Sequence, residues 1–205
     1  MLSATRSCLR RCSWLVAACL FFSGAGALAP AAEPVAQTAL PDFRLKDPAG
    51  VEHNRAAVLR EVVVLLSTIP NVKHGAFQEC WVRWLKKHLP AEGARLVVLE
   101  DIHQCPKIRD KAERGLQEHY QKGQRTLILM DSAGELRRGL RVPEDETTVL
   151  VFDRQGRVLH RVSGLTAPDD IREAAKALAA TVRRCLTEDQ EKAENSPRTA
   201  PRQSL

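Results

Sequence analysis

The sequence lacks the short ligand spacings that protein metal sites use. It contains no CxxC and no HxxxH pair, although it has six cysteines and six histidines. Metal-binding side chains usually come in such closely spaced pairs, so no metal site and no other cofactor is predicted. Aromatic residues make up only 4% of the chain. No basic stripe interleaved with aromatics occurs, which argues against a nucleic-acid-binding protein.

Acidic residues are absent from residues 1–29, and this segment has the pattern of a secretory signal peptide. Arg6, Arg10 and Arg11 precede an apolar run over residues 14–22, and small residues follow it. We expect cleavage near Ala27 or Ala31 and a periplasmic or secreted mature protein. The formal net charge of +6 then loses three arginines and becomes +3. That charge is too small and too scattered to indicate a nucleic-acid partner.

Two alternative interpretations of the leader stay open. The sequence VAAC at residues 16–19 is similar to a lipidation motif with Cys19 as the acceptor, although apolar residues follow it. A mitochondrial presequence would also contain arginine and serine. The apolar run is too short and too rich in small residues to predict a permanent membrane span.

Composition divides the rest of the chain into three parts. Residues 30–40 are rich in Ala and Pro and indicate a linker. Residues 41–186 alternate apolar segments with turn signals and predict one folded domain. Residues 187–205 are polar, contain two prolines, and are predicted to be disordered.

The stretch Glu61 to Lys87 organises the predicted domain. Residues 62–66 form a continuous apolar run that is typical of a strand covered on both faces. Pro70 ends that strand, because proline cannot donate to a sheet ladder. The following segment predicts an amphipathic helix, whose apolar face contains Phe77, Trp81, Trp84, Leu85 and His88.

The remaining segments predict an α/β protein. A hairpin over residues 41–53 and a short helical turn over 55–60 precede the central strand. Further strands are predicted at 95–99, 126–130, 147–152 and 157–162, and short helical turns at 135–141. The long helices are expected to start near Gly75, Pro106 and Pro168, with the last one ending at Cys185.

This order of elements resembles the thioredoxin superfamily, and its peroxiredoxin-like branch in particular. The resemblance rests on PDFRLKDPAG at the front of the domain and TTVLVFDRQGRV near its end, and it covers residues 41–185. The spacing from Asp131 to Asp153 is similar to that of the YtfJ-type periplasmic thioredoxin-like proteins. The resemblance implies a thioredoxin-like three-layer sandwich with an N-terminal hairpin and a central mixed sheet.

The positions that carry peroxidase chemistry in that branch have other residues here. Matching the loop at Pro70 places the peroxidatic cysteine at Phe77, and its threonine at His74. The arginine of the branch falls near Thr147, and a thioredoxin-type cis-proline falls at Glu146. The resemblance therefore does not imply standard peroxidase chemistry.

Three cysteines remain after the leader, namely Cys80, Cys105 and Cys185. Cys105 is the first candidate for a reactive thiol, because a predicted helix start beside it favours thiolate. His103 and His74 could support it, whereas Glu100 and Asp101 oppose ionisation. Cys80 is the second candidate, as a displaced redox cysteine.

A Cys80–Cys105 disulfide is sterically possible, since both residues follow neighbouring parallel strands at one edge of the sheet. The alternative for each cysteine is a packing thiol, which is the interpretation we prefer for Cys185. Asp131 and Asp153 are interpreted as turn-forming residues at strand ends.

Two functions fit these features. The first is an exported thioredoxin-fold protein without standard peroxidase chemistry, which acts in binding or in redox and envelope homeostasis. A thiol or disulfide protein is the partner that this function implies. The second is a thiol-dependent oxidoreductase or peroxidase that uses Cys105, Cys80 or both, so the sequence leaves open whether the protein is an enzyme.

Overall fold

The computed structural model describes residues 39–70, 72–119 and 126–195. The predicted leader, most of the linker and residues 196–205 lie outside them. In the described residues the seven strands are β1 (Arg44–Lys46), β2 (Glu52–Asn54), β3 (Val62–Thr68), β4 (Ala94–Glu100), β5 (Thr126–Met130), β6 (Thr148–Phe152) and β7 (Val158–Ser163). The α-helices in the same ranges are α1 (Arg55–Val58), α2 (Val72–His88), α3 (Arg109–His119), α4 (Glu135–Gly139) and α5 (Pro168–Glu194).

The strands form one mixed sheet in the order β2-β1-β5-β4-β3-β6-β7. Strand β3 pairs in parallel with β4, and β4 pairs in parallel with β5. The other pairings are antiparallel, including the β1–β2 hairpin and the β6–β7 hairpin. The predicted α/β class, the N-terminal hairpin and the central mixed sheet are confirmed.

Side chains of the central strands alternate between two apolar layers, because successive residues of a strand point to opposite faces. Val62, Val64 and Leu66 of β3 pack with α2 and α5. Val63 and Leu65 pack on the opposite face, with Leu136 and Leu140 at α4. All seven residues of β3 are buried, as a strand covered on both faces requires.

Helix α2 buries the face that its spacing predicts. Trp81 and Leu85 are 1% and 0% exposed, and both belong to the layer shared with α5. Trp84 is half-buried, and its ring stacks on His88 with the centroids 5.8 Å apart. The helix begins at Val72, three residues before the predicted start near Gly75.

The segment after β4 differs from the predicted helix. Two 3₁₀ turns, Ile102–Gln104 and Pro106–Ile108, come first, and α3 begins only at Arg109. Pro106 has no backbone N–H and disfavours the α conformation at the residue before it. Cys105 accordingly has φ −118° and ψ 50°, outside the helical region.

Helix α5 is longer than predicted. It begins at Pro168 as expected but runs to Glu194, past the predicted end at Cys185. The extra residues include glutamate, lysine, glutamine and alanine, which favour helix even on an exposed surface. An ion pair of 3.6 Å between Asp189 and Arg154 ties this part of the helix to the β6–β7 turn. Predicted disorder was therefore wrong for residues 187–194.

Candidate functional site at the carboxyl edge of the sheet

Polar side chains collect where β3, β4 and β5 end, at the edge where α/β proteins place their sites. Strand alternation divides them between the two faces of the sheet. We call Thr68, His74, Gln78, Glu100 and Thr147, on the face covered by α2, the α2-side cluster. We call Ser67, Asp101, Asp131 and Arg137, on the opposite face, the Arg137 cluster.

His74 and Thr147 meet in the α2-side cluster. His74 is only 2% exposed, and its Nδ1 lies 3.3 Å from the Thr147 hydroxyl oxygen. The His74 ring also packs edge-on against Phe77, with the centroids 6.3 Å apart. These are the three positions at which the peroxiredoxin resemblance expects a threonine, an arginine and a cysteine. The structure brings these three positions together, but their side chains are an imidazole, a hydroxyl and a phenyl ring.

Glu100 is the second feature of the α2-side cluster. Its side chain is buried, and one carboxyl oxygen accepts a hydrogen bond of 2.6 Å from the amide of Gln78 on α2. The other oxygen has no hydrogen-bond partner in the described ranges, nor has the hydroxyl of Thr68, its in-register neighbour on β3. Burial raises the pKa of Glu100 to about 7, and the bond from Gln78 opposes this rise.

Arg137 occupies the centre of the other cluster. Its guanidinium donates to the Ser67 hydroxyl at 3.2 Å and to two loop carbonyls, those of Pro143 at 2.6 Å and Glu146 at 2.8 Å. Its Nε lies 3.3 Å from a carboxylate oxygen of Asp101, an ion pair between two buried side chains. Arg137 thus fixes the loop before β6 to the end of the sheet.

The acids of the Arg137 cluster have defined structural tasks. Asp131 accepts hydrogen bonds from the backbone N–H groups of Glu135 and Arg137, so it caps α4. Asp101 accepts a bond of 2.9 Å from Gln104. Burial raises the pKa of Asp101, although the positive charge of Arg137 works against this.

The interpretation of Asp131 and Asp153 as turn-forming residues is confirmed. The carboxylate of Asp153 accepts bonds from the backbone N–H groups of Gln155 and Arg157, and from the Arg157 side chain at 2.6 Å. It closes the β6–β7 turn in the same way that Asp131 closes the turn after β5.

Cys105 lies at the carboxyl edge, beside the loop between β3 and α2. Its thiol is 3.9 Å from the carbonyl oxygen of Pro70, and the residue is 8% exposed. Burial raises the pKa of this thiol, and the negative fields of Asp101 and Glu100 add to the rise. The α-helix start expected beside Cys105 was wrong, because Pro106–Ile108 is a 3₁₀ turn and α3 begins only at Arg109. The predicted opposition of Glu100 and Asp101 is confirmed.

The other cysteines and His103 lie outside these contacts. Cys80 is half-buried and packs against the core beneath α2, and Cys185 is buried in the same layer, as predicted. Cys80, Cys105 and Cys185 are free thiols here, and the Cys80–Cys105 disulfide stays a prediction. His103 is exposed and lies against the turn at Gly134, on the side of the Arg137 cluster.

Sequence reasoning missed the roles of Gln78, Glu100 and Arg137. The available signal for Glu100 was its position directly after the apolar run at residues 95–99, because such a residue lies at the carboxyl edge of the sheet. Nothing in the local pattern distinguishes buried Arg137 from exposed Arg138, its neighbour on α4. Within the described ranges, no three His, Cys, Asp or Glu side chains are grouped so that they could hold a metal ion. No helix there is long and apolar enough to cross a bilayer.

No model of a known protein family matches the chain, and no curated protein resembles it significantly. Solved structures do resemble it. One is a thiol:disulfide interchange protein DsbE from Chlorobium tepidum, with a TM-score of 0.52, 19% identity, and coverage of 71% of this chain and 96% of that one. Another is the peroxidoxin BcpB from Mycobacterium tuberculosis, with a TM-score of 0.52, 22% identity, and coverage of 72% and 97%.

A third similar structure is the exposed lipoprotein thioredoxin Etrx1 from Streptococcus pneumoniae, with a TM-score of 0.51 and 15% identity. The matched region covers 67% of this chain and 99% of the Etrx1 chain. Together these likenesses show that the chain has the thioredoxin fold, which confirms the predicted fold class. At this level of identity they show the fold alone.

Proposed function

We propose that this chain is an exported thioredoxin-fold protein of the YtfJ type that binds a thiol or disulfide protein and has no standard peroxidase chemistry. Its domain, predicted as residues 41–186, extends from Leu40, which lies in the core, to Glu194, where α5 ends. It follows a cleaved leader, residues 1–29, and a linker that ends at residue 39. The protein acts in redox or envelope homeostasis in the periplasm or outside the cell.

One observation carries this proposal, namely which residues occupy the positions where the resemblance expects the peroxidase groups. His74 and Thr147 are bonded to each other there, and Phe77 occupies the cysteine position. A peroxidase needs a lowered-pKa thiolate and preorganised donors for the developing charge. The nearby thiol, Cys105, is buried and has a raised pKa.

Stopped-flow peroxide consumption tests the chemical part of the proposal, with dithiothreitol or thioredoxin as the reductant. We expect a second-order rate no faster than that of a free thiol such as glutathione. Any residual rate should be lost in Cys105→Ser and unchanged in Cys185→Ser. A rate far above that of glutathione, lost only in Cys80→Ser, would show that the proposal has chosen the wrong cysteine and the wrong class of function.

A second candidate function is a thiol-dependent oxidoreductase that uses Cys105, Cys80 or both. The contact between the Cys105 thiol and the Pro70 carbonyl favours it, because the β3–α2 junction is where this fold holds its redox cysteine. Names of similar structures, a thiol:disulfide interchange protein and a peroxidoxin, point the same way. Turnover of a disulfide substrate that is lost in Cys105→Ser would select this function.

Export has its own test. Mass spectrometry of the native protein should find a mature N-terminus between residues 28 and 33. An intact Met1, or a lipid on Cys19, would contradict cleavage by an ordinary signal peptidase.

A further inference from the structure

Three basic side chains meet at the turn that follows β5. They come from separate elements, namely His103 from the first 3₁₀ turn, Arg109 from the start of α3 and Arg138 from α4. The Arg138 Nη1 atom and the His103 Cδ2 atom lie 2.9 Å and 3.2 Å from the point where a Cβ at Gly134 would stand. The Nη2 atom of Arg109 is 3.5 Å from the carbonyl oxygen of Ser132. We call the three basic side chains the cationic cluster.

Most hydrogen-bond donors of the cationic cluster are unused. A guanidinium has five N–H donors, but the Arg109 side chain makes only the long bond to Ser132, and its Nε is buried without a partner in the described residues. The side chains of Arg138 and His103 have no hydrogen bond or ion pair to any residue that the structure describes. Buried donors without an acceptor are uncommon in folded proteins, so the cluster has donors available for a ligand.

The acids around this turn do not neutralise the cationic cluster. Asp131 accepts the two backbone N–H bonds that cap α4, and Asp101 is paired with Arg137. Glu113 accepts a bond of 3.2 Å from the serine hydroxyl of the turn. Glu135 is exposed and forms no ion pair with the cluster in the described part of the chain. Like charges held close together repel one another, and an anion between them removes that repulsion.

Gly134 permits the close approach of these side chains. Its φ of +67° lies in the left-handed region that glycine adopts readily. A Cβ at this position would stand against both the Arg138 guanidinium and the His103 side chain. The turn therefore presents bare backbone between two basic groups.

We propose that the cationic cluster binds the phosphate group of a small anion. A phosphate dianion has oxygens in several directions, which suits donors that arrive from three elements, and a guanidinium fork matches two of these oxygens at a time. A planar carboxylate with a single charge needs only one arginine. The phosphate is either free inorganic phosphate or part of a phosphate ester. This binding goes beyond the proposed function, because neither Cys105 nor a thiol partner takes part in it.

The test is a titration of the full mature chain with inorganic phosphate at neutral pH and constant ionic strength, followed by the backbone amide signals in NMR. We expect saturable shifts at residues 132–134. Arg138→Gln and Arg109→Gln should each raise the Kd about tenfold, the effect of losing one charge-assisted hydrogen bond. A parallel titration with methyl phosphate separates the two sources. Tighter binding of methyl phosphate identifies an ester as the ligand, and binding no tighter than that of inorganic phosphate identifies the free anion.

Arg184→Gln is the matched control, because Arg184 is exposed on α5, which packs on the other face of the sheet. It removes the same charge and should leave the Kd unchanged. The site is overturned if the wild type shows no saturable binding, or if Arg184→Gln weakens binding as much as Arg138→Gln, since phosphate would then respond to net charge alone. An unchanged Kd in both Arg138→Gln and Arg109→Gln overturns it as well. If Arg109→Gln does not fold, His103→Gln takes its place with the same expected loss.

Discussion

The two polar clusters at the carboxyl edge lie on opposite faces of the same strands but satisfy their polar atoms differently. In the Arg137 cluster, one guanidinium donates to three oxygens and pairs with Asp101. In the α2-side cluster, Glu100 has a single bond to Gln78, and the Thr68 hydroxyl is among the buried groups without a partner in the described residues. The Arg137 cluster has more hydrogen bonds, although Asp101 Oδ1 and Arg137 Nε are also buried without a hydrogen-bond partner in the described residues.

This difference indicates a division of tasks. A buried hydrogen-bond network makes a structure rigid, and Arg137 holds the loop before β6 through its bonds to the Pro143 and Glu146 carbonyls. Buried groups that lack partners are uncommon and often coincide with functional or mobile parts of a protein. The α2-side cluster also contains His74 and Thr147, two of the three positions where the peroxiredoxin resemblance expects chemistry, and the third, Phe77, packs against His74. We infer that the Arg137 cluster braces the fold and the α2-side cluster responds to conditions.

The largest effect is expected from Arg137→Leu. The change leaves Asp101 buried without its counter-charge and removes the donors to the loop carbonyls. Breaking a buried ion pair by removing one partner costs about 3–5 kcal/mol. Urea denaturation of the mature protein measures this loss.

Arg138→Leu is the matched control, because Arg138 is exposed on the same helix. It should change the free energy of unfolding by about 0.5 kcal/mol at most. A loss below about 1 kcal/mol in Arg137→Leu would show that the brace is not structural, and the contrast between the two faces would disappear.

The second effect is a loss of stability as the pH rises. A carboxyl group whose pKa is raised on folding holds its proton while the unfolded chain releases it. The free energy of unfolding therefore falls as the pH rises from 4.5, the ordinary pKa of a glutamate, to the folded pKa of about 7 for Glu100. That shift corresponds to about 3 kcal/mol, measured by urea denaturation at pH 4.5 and pH 8.

Glu100→Gln isolates this contribution, since the raised pKa of Asp101 acts in the same direction in both proteins. Between pH 4.5 and pH 8, the free energy of unfolding of Glu100→Gln should rise relative to that of the wild type by most of this ~3 kcal/mol. If the free energies of unfolding of the wild type and Glu100→Gln change with pH in parallel, the surroundings of Glu100 stabilise its charged form. The polar groups of the α2-side cluster would then be no less well bonded than those of the Arg137 cluster.

The sequence was sufficient for the sheet and its covering helices because their patterns are local. The apolar run of β3 and the spacing of Trp81 and Leu85 on α2 each specify a buried face directly. The two clusters depend instead on contacts between residues far apart in the chain. His74 and Thr147 are separated by 73 residues, and Arg137 and Ser67 by 70. Such pairs leave no local pattern to read.

Cys105 shows how one local feature can mislead. A cysteine before a proline suggested a helix start and a stabilised thiolate. The chain makes two 3₁₀ turns there instead, and Glu100 and Asp101 raise the thiol pKa. The two acids were visible in the sequence. Whether they or the helix dipole would decide the pKa of the thiol depended on its burial, which a short segment does not reveal.

The smallest effect compares two threonines within the α2-side cluster. Thr147→Val removes the hydroxyl that contacts the His74 ring, and a lost hydrogen bond with a buried partner left behind costs about 1–2 kcal/mol. Thr68→Val replaces a buried hydroxyl without a partner in the described residues, so it should be neutral or stabilise the fold by about 1 kcal/mol. Both changes keep a branched side chain of similar shape, and urea denaturation at pH 6 keeps Glu100 mostly protonated. If Thr68→Val costs as much as Thr147→Val, the Thr68 hydroxyl has a partner such as an internal water. In that case the α2 face is bonded more completely than its side chains alone indicate.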